Sequence, residues 1–241
     1  MYWFMNFNVI FLSSRSFTIE LDNKDIYHTS NYSLYINDVL YAEANANVLS
    51  VYDLNPNTEY KVSLKINNDV FDKIIKTDYE YVSLNVKKFG AKGDGTTLDT
   101  AFIQGCIMAC PDNGRVYFPK GEYYTGPLFL KSNITIELAE GAHLIGDIDR
   151  THYPILPGVT YTSDEKDEYN LGSWEGNPLD CFASIITGIN VSNVKIIGKG
   201  VIDGNAQNSD WWDDVRTRRI AWRPRGVFLN HCKNIALQGV T

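Results

Sequence analysis

The feature that most restricts the fold of this chain is a short pattern that recurs three times in its second half. The three copies begin at Ser132 (SNITIELAEGAHLIG), Ser192 (SNVKIIGKGVIDG) and Lys233 (KNIALQGVT). Each copy places an asparagine ahead of Ile or Val and then alternates apolar and polar residues, as a half-buried strand does. Such a unit can bury its apolar side chains only against a neighbouring copy, so the pattern predicts stacked coils.

The asparagines of the repeat indicate where the chain bends. Asn tolerates the left-handed backbone conformation and can hydrogen-bond to nearby backbone groups. Asn133, Asn193 and Asn234 are therefore suited to equivalent bends of successive coils. The intervals between them are unequal, which we attribute to loops of different length between the strands. Together these features predict the first coils of a parallel β-helix over residues 81–241.

A glycine-rich stretch, VKKFGAKGDGTTLDT (86–100), precedes the first copy. We predict a tight turn at Asp94-Gly95, a short helix capped by Thr96 or Thr97, and a helix end at 111–114. The apolar face of this helix is expected to carry Ala101, Ile103, Ile107 and Met108. Because the stretch lacks the spacing of a phosphate-binding loop, we interpret it as the cap that closes one end of the β-helix.

Residues 1–80 have a different texture, with short alternating strands separated by turns, which is typical of a β-sandwich. In the segment 54–66, Tyr60 follows a proline turn and stands two residues before an alternating strand. This arrangement predicts a tyrosine corner, in which the phenol hydrogen-bonds to an upstream backbone group. The segment resembles a fibronectin type III domain. The predicted fold class is therefore all-β, with a fibronectin III-like β-sandwich over 1–80 ahead of the β-helix.

Composition restricts the partners of the chain. Its formal net charge is −7, which argues against a nucleic-acid partner because such a partner requires a basic surface. No apolar run is long enough to cross a membrane, and residues 1–23 have the alternation of a strand rather than the pattern of a signal peptide. The sequence thus predicts a cytoplasmic location, with secretion left open.

Cys106, Cys110, Cys181 and Cys232 lack metal-site spacing and are expected to be buried free thiols.

Three phrases of the second half resemble a known family. They are KKFGAKGDGTTLDTAFIQGCIMAC (87–110), GRVYFPKGEYYTGPLFLKSNITIELAEGAHLIGD (114–147) and NVSNVKIIGKGVIDGN (190–205). In this order they are similar to the N-terminal half of glycoside hydrolase family 28, the polygalacturonases, and the fibronectin-like segment in front resembles the bacterial exo-acting members. The resemblance implies a right-handed parallel β-helix with a short capping helix. It also implies inverting hydrolysis of the α-1,4-galacturonosidic bonds of pectin, with no cofactor or metal.

In that family a protonated Asp protonates the leaving oxygen, and further Asp carboxylates, about 6.5–9.5 Å away, activate water. The family carries these groups in Asn-Thr-Asp, Asp-Asp, Gly-His-Gly and Arg-Ile-Lys phrases, none of which occurs in a matching context here. The pair Asp213-Asp214 follows two tryptophans in a polar loop, where a solvated pair is the simpler interpretation. We therefore expect no catalytic residue in this chain, the catalytic groups downstream of Thr241, and no hydrolase activity from the chain alone.

The long insertion over 153–180 offers one set of substrate-binding candidates, since long loops in compact folds are usually functional or disordered. Trp174 is suited to stacking on a sugar ring, while Glu175 and Asp180 are suited to accepting hydrogen bonds from sugar hydroxyls. The alternative interpretation is loop packing with solvated charges.

A second set lies in residues 210–232, where arginines alternate with aromatic residues. The arginines are Arg216, Arg218, Arg219, Arg223 and Arg225, and the tryptophans are Trp211, Trp212 and Trp222. A guanidinium binds a carboxylate in a bidentate manner, so a local basic cluster in an acidic chain is suited to an anionic sugar. Arg223 and Arg225 are the preferred candidates. The alternative is ion pairing with Asp210, Asp213 and Asp214.

Two further polar residues receive structural interpretations. We expect His231 to be a core histidine and Asp203 to form a turn through its side chain.

Two other functions stay open at this point. A pectate lyase-like enzyme would need a Ca²⁺ site built from several carboxylates, and no acidic cluster at strand spacing is evident. A non-enzymatic carbohydrate-binding or structural β-helix is the third possibility. In each case the expected partner is a polysaccharide or an oligogalacturonide, and the oligomeric state is left open.

Overall fold

The structure is a computed structural model that describes residues 6–23, 27–159, 170–213 and 218–241. The chain divides into two compact units, Met1–Glu80 and Tyr81–Thr241. Both are built almost entirely of strands. In the described ranges, no helix combines the length and the apolar character needed to cross a membrane.

The first unit consists of antiparallel strands in two sheets. The strands are β1 (Asn6–Leu12), β2 (Phe17–Asp22), β3 (His28–Ile36), β4 (Val39–Ala46), β5 (Val48–Val51), β6 (Glu59–Ile66) and β7 (Asp69–Lys76). One sheet has the order β1-β2-β5 and the other β4-β3-β6-β7. Side chains from both sheets, such as Ile19 and Leu34, form one buried core. Sequence patterning does not reveal β4, because its first residues, Val39 and Leu40, are both apolar and both exposed.

The tyrosine corner predicted at Tyr60 is present in this unit. The backbone N–H of Asn55 donates to the Tyr60 hydroxyl at 2.7 Å. From the end of β7, the Thr77 hydroxyl donates to the carbonyl of the same Asn55 at 2.7 Å. These two bonds fix the crossover between the sheets ahead of β6.

The second unit is a parallel β-helix, which confirms the predicted fold class. Its strands are β8 (Ser83–Asn85), β9 (Asp94–Leu98), β10 (Gly114–Phe118), β11 (Gly121–Thr125), β12 (Leu128–Phe129), β13 (Ile134–Leu138), β14 (Ala142–Gly146), β15 (Ile155–Leu156), β16 (Cys181–Phe182), β17 (Ile186–Ile189), β18 (Ser192–Gly198), β19 (Val201–Asp203), β20 (Val227–Asn230) and β21 (Lys233–Gln238). Parallel sheets of the orders β8-β10-β13-β18-β21, β9-β11-β14-β19 and β12-β17-β20 form its walls, while β15 and β16 pair outside them.

Equivalent residues of successive coils stack in the interior. Val116 pairs with Ile136, and Ile136 pairs with Ile196 in the next coil. Their exposed fractions are 0%, 1% and 0%. The apolar positions of the repeat thus fill the inside of the β-helix, as the alternation predicts.

The bends of the repeat form an asparagine ladder, which confirms the role predicted for these residues. Asn133, Asn193 and Asn234 have φ values of 63°, 57° and 54°. The Asn193 amide donates to Asn133 Oδ1 at 2.9 Å, and the Asn234 amide donates to Asn193 Oδ1 at 3.0 Å. Each side chain therefore supports the same left-handed bend in the neighbouring coil.

The capping segment differs from its prediction in one respect. The helix α1 spans Thr100–Ala109, whereas Thr96 and Thr97 lie in β9, where their backbone N–H groups donate to Asp94. The predicted helix start was therefore wrong, because Asp94 engages both threonines in a turn of its own. A buried Asp99 precedes the helix and accepts bonds from the N–H groups of Lys92 and Gly93, at 2.7 and 2.8 Å.

The buried face of α1 matches its prediction at Ile103 and Ile107 and differs from it at Ala101 and Met108. Ile103, Cys106 and Ile107 are buried, while Ala101 is exposed and Met108 is 59% exposed. The four cysteines, all of which lie in the described ranges, form no disulfide; Cys106, Cys110 and Cys181 are buried, and Cys232 is half-buried.

Candidate carbohydrate-binding cleft

A cleft of about 480 Å³ lies where two long loops of the second unit meet. One loop connects β14 to β17. The other connects β19 to β20 and includes the 3-10 helices Ala206–Asn208 and Asp210–Trp212. The polar and aromatic side chains that line the cleft are Trp174, Glu175, Trp211, Trp212, Arg223 and Arg225. Both stretches that the sequence singled out therefore contribute to one cleft.

A small aromatic core supports the cleft. Tyr153, Phe182 and Trp211 are each 4% exposed, and Ala221 packs with them. The ring centroid of Trp211 lies 5.4 Å from that of Tyr153 and 5.3 Å from that of Phe182, in edge-to-face contacts. The Tyr153 hydroxyl donates to the carbonyl of Asp147 at 2.8 Å, and burial raises its pKa well above the ordinary value. This core ties the two loops to each other.

Trp174 lies on a second indole. Its ring stacks on Trp222 with the centroids 5.2 Å apart and an interplanar angle of 7°. The guanidinium carbons of Arg223 and Arg225 lie 5.3 and 5.8 Å from the Trp174 centroid. Because Trp222 covers one face and two cations contact the ring, Trp174 serves as a platform for the arginines rather than as an open surface.

Arg223 extends between two tryptophans. Its guanidinium carbon lies 4.6 Å from the centroid of Trp212, in addition to its contact with Trp174. Its Nη1 is 3.5 Å from the carbonyl oxygen of Trp211. Trp212 itself is 61% exposed, so it presents an aromatic surface to solvent beside this cation.

Arg225 is held by two serines of the loop between β14 and β17. Its Nη2 donates to the carbonyl of Ser173 at 2.6 Å, and its backbone N–H donates to the Ser184 hydroxyl at 3.1 Å. Its guanidinium also lies close to Cys181. Burial raises the pKa of the Cys181 thiol, and the charge of Arg225 opposes that rise. Among the described residues, Arg225 is therefore held by a carbonyl and a hydroxyl rather than by a carboxylate.

The two arginines give the cleft its electrostatic character. In the described ranges, no carboxylate lies within ion-pair distance of either Arg223 or Arg225. Two neighbouring cations over one indole repel each other and favour an anion placed between them. Glu175, which is exposed, supplies an acceptor at the edge of the same cleft.

Asp180 does not take the place predicted for it. It is absent from the residues that line the cleft, and its carboxylate accepts bonds from Arg218 at 2.9 Å and from the Gly158 N–H at 2.8 Å. Both of its oxygens take part in joining the loops, which favours a structural role for Asp180 over the predicted binding of sugar hydroxyls. The backbone of Asp180 also pairs with that of Trp222.

The ion-pairing alternative holds for part of the arginine cluster. Arg218 pairs with Asp180, and Arg219 pairs with Asp210 at 3.0 Å. Arg150 pairs with Asp210 at 2.6 Å, and this bond is the main cause of the lowered pKa of Asp210. Sequence reasoning missed Arg150, because nothing in the local pattern links it to a residue so far along the chain. Arg216 and Asp214 lie outside the described residues.

Three minor predictions have mixed outcomes. Asp203 forms the expected turn, since its Oδ1 accepts a bond from the Asn205 N–H at 2.8 Å. His231 was predicted to be a core residue, but it is exposed at a bend with φ of 51°, so that prediction was wrong. Asp213 is exposed and is not among the cleft-lining residues.

Across the described ranges, no group of three or more His, Cys, Asp or Glu residues has a geometry that would hold a metal ion.

These features define a parallel β-helix protein with an aromatic and cationic cleft beside its third and fourth coils. The family model described as rhamnogalacturonase A/epimerase, pectate lyase-like, matches residues 83–217. The match covers more than half of the chain, and the chain belongs to this family.

Individual relatives confirm the resemblance to polygalacturonases. The chain is 40% identical over 123 residues to the exo-poly-α-D-galacturonosidase of Dickeya chrysanthemi, covering 51% of this chain and 19% of that protein. It is 36% identical over 115 residues to plasmin and fibronectin-binding protein A of Streptococcus pneumoniae, covering 46% and 15%.

A solved structure shows the fold. The family 28 exopolygalacturonase of Yersinia enterocolitica superposes with a TM-score of 0.67 at 20% identity, over 98% of this chain and 54% of that one. The chain thus spans about half of that protein and a smaller share of the two curated relatives.

Proposed function

We propose that the protein containing this chain is a pectin-degrading glycoside hydrolase, an exo-acting polygalacturonase that cleaves α-1,4-galacturonosidic bonds with inversion. In this proposal the present chain supplies the first coils of the β-helix and a cleft that binds galacturonate units of the substrate. The observation that carries the proposal is the pair Arg223 and Arg225, both of which line the cleft without a carboxylate partner in the described ranges. The 40% identity to an exo-poly-α-D-galacturonosidase supports it.

The cleft residues divide the work of binding. Arg223 and Arg225 bind the carboxylate of a galacturonate unit through charge-assisted hydrogen bonds. Trp212 offers its exposed indole to the sugar, and Trp174 keeps the arginines oriented. Glu175 accepts a bond from a sugar hydroxyl. Asp180 takes no part, because its oxygens already bind Arg218 and Gly158.

Catalysis is assigned to groups outside this chain. Inverting hydrolysis needs two carboxylates that flank the scissile bond. Among the described cleft-lining residues, Glu175 is the one that carries a carboxylate. Purified 241-residue chain is therefore expected to release no reducing ends from polygalacturonate. Release above that of a heat-treated sample would contradict this assignment.

Isothermal titration with digalacturonate tests the binding site directly. Arg223→Ala and Arg225→Ala are each expected to weaken binding by about tenfold or more, because each removes a charged hydrogen-bond donor. Arg218→Ala is the matched control, since Arg218 lies in the same loop and pairs with Asp180 outside the cleft. Digalactose, which lacks the carboxylates, is expected to bind weakly to all forms. Equal affinity for digalacturonate and digalactose would refute the site.

We also propose that the first unit is a fibronectin type III-like domain. Its sheet orders, β1-β2-β5 and β4-β3-β6-β7, and the Tyr60 hydroxyl bond support this assignment. Tyr60→Phe is expected to destabilise this unit by about 1–2 kcal/mol, since it leaves the Asn55 N–H without its acceptor. Denaturant unfolding of the chain measures the difference.

A second candidate is a non-enzymatic β-helix that binds carbohydrate. The 36% identity to plasmin and fibronectin-binding protein A of Streptococcus pneumoniae, which is named for binding rather than for an enzymatic activity, supports this candidate. The two candidates share the digalacturonate site but differ in the activity of the longer protein. Expression of the whole coding sequence followed by a reducing-end assay separates them, because only the hydrolase candidate predicts release.

A further inference from the structure

The contacts that hold one wall of the cleft begin outside it, at Arg150. This residue opens the 3-10 helix Arg150–His152 and is not among the cleft-lining residues. Its Nε and Nη2 both donate to Asp210 Oδ1, at 3.2 and 2.6 Å, and Nη2 also lies 3.4 Å from the Asp210 carbonyl oxygen. A planar guanidinium with several bonds to one residue fixes both its side chain and its backbone.

The Arg150 guanidinium also packs on Trp211, the residue that follows Asp210. The Arg150 guanidinium carbon lies 4.5 Å from the ring centroid of Trp211. Trp211 is buried in the aromatic core with Tyr153 and Phe182. Arg150 therefore holds Asp210 through hydrogen bonds and Trp211 through its ring.

Trp212 is the last residue of the Asp210–Trp212 helix, and it lines the cleft. Its ring lies 4.6 Å from the Arg223 guanidinium, and the carbonyl of Trp211 is 3.5 Å from Arg223 Nη1. A shift of the Asp210–Trp212 helix would thus move two of the groups that contact Arg223. The Asp210–Trp212 helix therefore connects Arg150 to Arg223.

We propose that Arg150 is a positioning residue: by fixing the Asp210–Trp212 helix, it holds Arg223 in the orientation that receives the carboxylate of the ligand. The identity of the ligand, an oligogalacturonide, rests on the proposed function. Arg150 does not contact the ligand. It contributes by reducing the orientations open to Arg223 before binding, which lowers the entropy lost on binding.

A matched pair of arginines makes the test specific. Arg115 also donates to a carboxylate, Glu137 Oε2 at 2.8 Å, and its guanidinium lies 4.8 Å from the Tyr117 centroid, but it stands on the coils. Arg150→Gln and Arg150→Lys are compared with Arg115→Gln and Arg115→Lys in the 241-residue chain. Melting of all four is recorded, because both series lose an ion pair.

The first readout is the affinity for digalacturonate. Arg150→Gln is expected to weaken binding by about five- to tenfold, with Arg150→Lys between it and the parent chain. The Arg115 variants are expected to keep the affinity of the parent. If Arg223→Ala weakens binding and Arg150→Gln does not, the positioning role is overturned while the proposed function stands.

The second readout requires no ligand. The indole N–H signal of Trp212 and the Nε–H signal of Arg223 in ¹H–¹⁵N spectra report the geometry of the wall, with Trp212→Phe and Arg223→Lys used for assignment. Both signals are expected to shift in Arg150→Gln and to stay in place in Arg115→Gln. Unshifted signals in Arg150→Gln overturn the positioning role of Arg150. This readout does not depend on ligand binding. If the parent chain binds no digalacturonate, that result refutes the proposed function instead.

Discussion

The coils and the cleft loops of the second unit use arginine in different ways. On the coils, Arg115 pairs with Glu137 on the neighbouring strand, and both side chains are largely covered, at 10% and 13% exposure. In the cleft, Arg223 and Arg225 stack on Trp174 and bond to backbone carbonyls instead. A repeated coil brings an acid and a base together in register, so charge is neutralised within the fold. The loops hold cations in place while leaving their charge available to a ligand.

The largest expected effect separates the stability of the coils from the binding of the cleft. Ile136→Ala is expected to lower the free energy of unfolding by about 3–4 kcal/mol, because it leaves a cavity between Val116 and Ile196. Trp212→Ala is expected to change stability by less than about 0.5 kcal/mol, because the side chain is 61% exposed. Urea unfolding and digalacturonate titration of both variants measure the contrast. A Trp212→Ala protein as unstable as Ile136→Ala would show that the cleft wall is part of the core.

Removing one carboxylate from each region tests the difference in charge. Glu137→Gln is expected to destabilise the unit by about 2 kcal/mol, because it removes the charge that pairs with the covered guanidinium of Arg115. Glu175→Gln, in the cleft, is expected to leave the unfolding free energy within about 0.5 kcal/mol and to weaken only ligand binding. Thermal melts of the two variants at the same ionic strength decide the point. Equal losses would remove the distinction between the regions.

The asparagine ladder gives a smaller and position-specific effect. Asn193→Ala is expected to cost about 1–2 kcal/mol, since Ala disfavours the φ of 57° and loses the amide bonds to Asn133 and Asn234. Asn193→Gly removes the same bonds but tolerates the backbone, so it separates the two causes. If Gly proves as costly as Ala, the amide bonds rather than the backbone dominate.

The smallest effect is a pH dependence at the start of the cleft loop. The pKa of His152 is raised, first by its hydrogen bond to Asp147 at 2.5 Å, then by the charges of Asp147 and Asp149. A raised pKa means that protonated His152 stabilises the folded state. This contribution is complete below the ordinary pKa of about 6.5 and is lost as pH rises through the raised value. The melting temperature of the parent chain should fall slightly across that window, and His152→Gln should flatten the curve.

Much of the fold follows from local rules in the sequence. The spacing of the apolar residues predicts the β-helix, the asparagines predict its bends, and Tyr60 predicts its own hydrogen bond. Failures occur where two local rules compete. Thr96 and Thr97 have the chemistry of helix caps, but Asp94 binds their N–H groups first, and α1 begins only at Thr100. His231 stands beside Cys232 just before a coil strand, which suggested a core position, yet it is exposed at a bend with φ of 51°.

The sequence by itself determined the chemistry of the cleft. The tryptophans, arginines and glutamate that it places in two long loops are the residue types that line the cleft. Only the tertiary structure decided which arginines keep an available charge. Arg218 and Arg219 belong to the same arginine-rich stretch as Arg223 and Arg225, yet Asp180 and Asp210 pair with the first two. The physical reason is that ion pairing depends on the distances that folding sets within and between the loops. Asp180 lies 38 residues before Arg218, and Arg150 lies 60 residues before Asp210, so no local pattern records the contacts that the folded coils create.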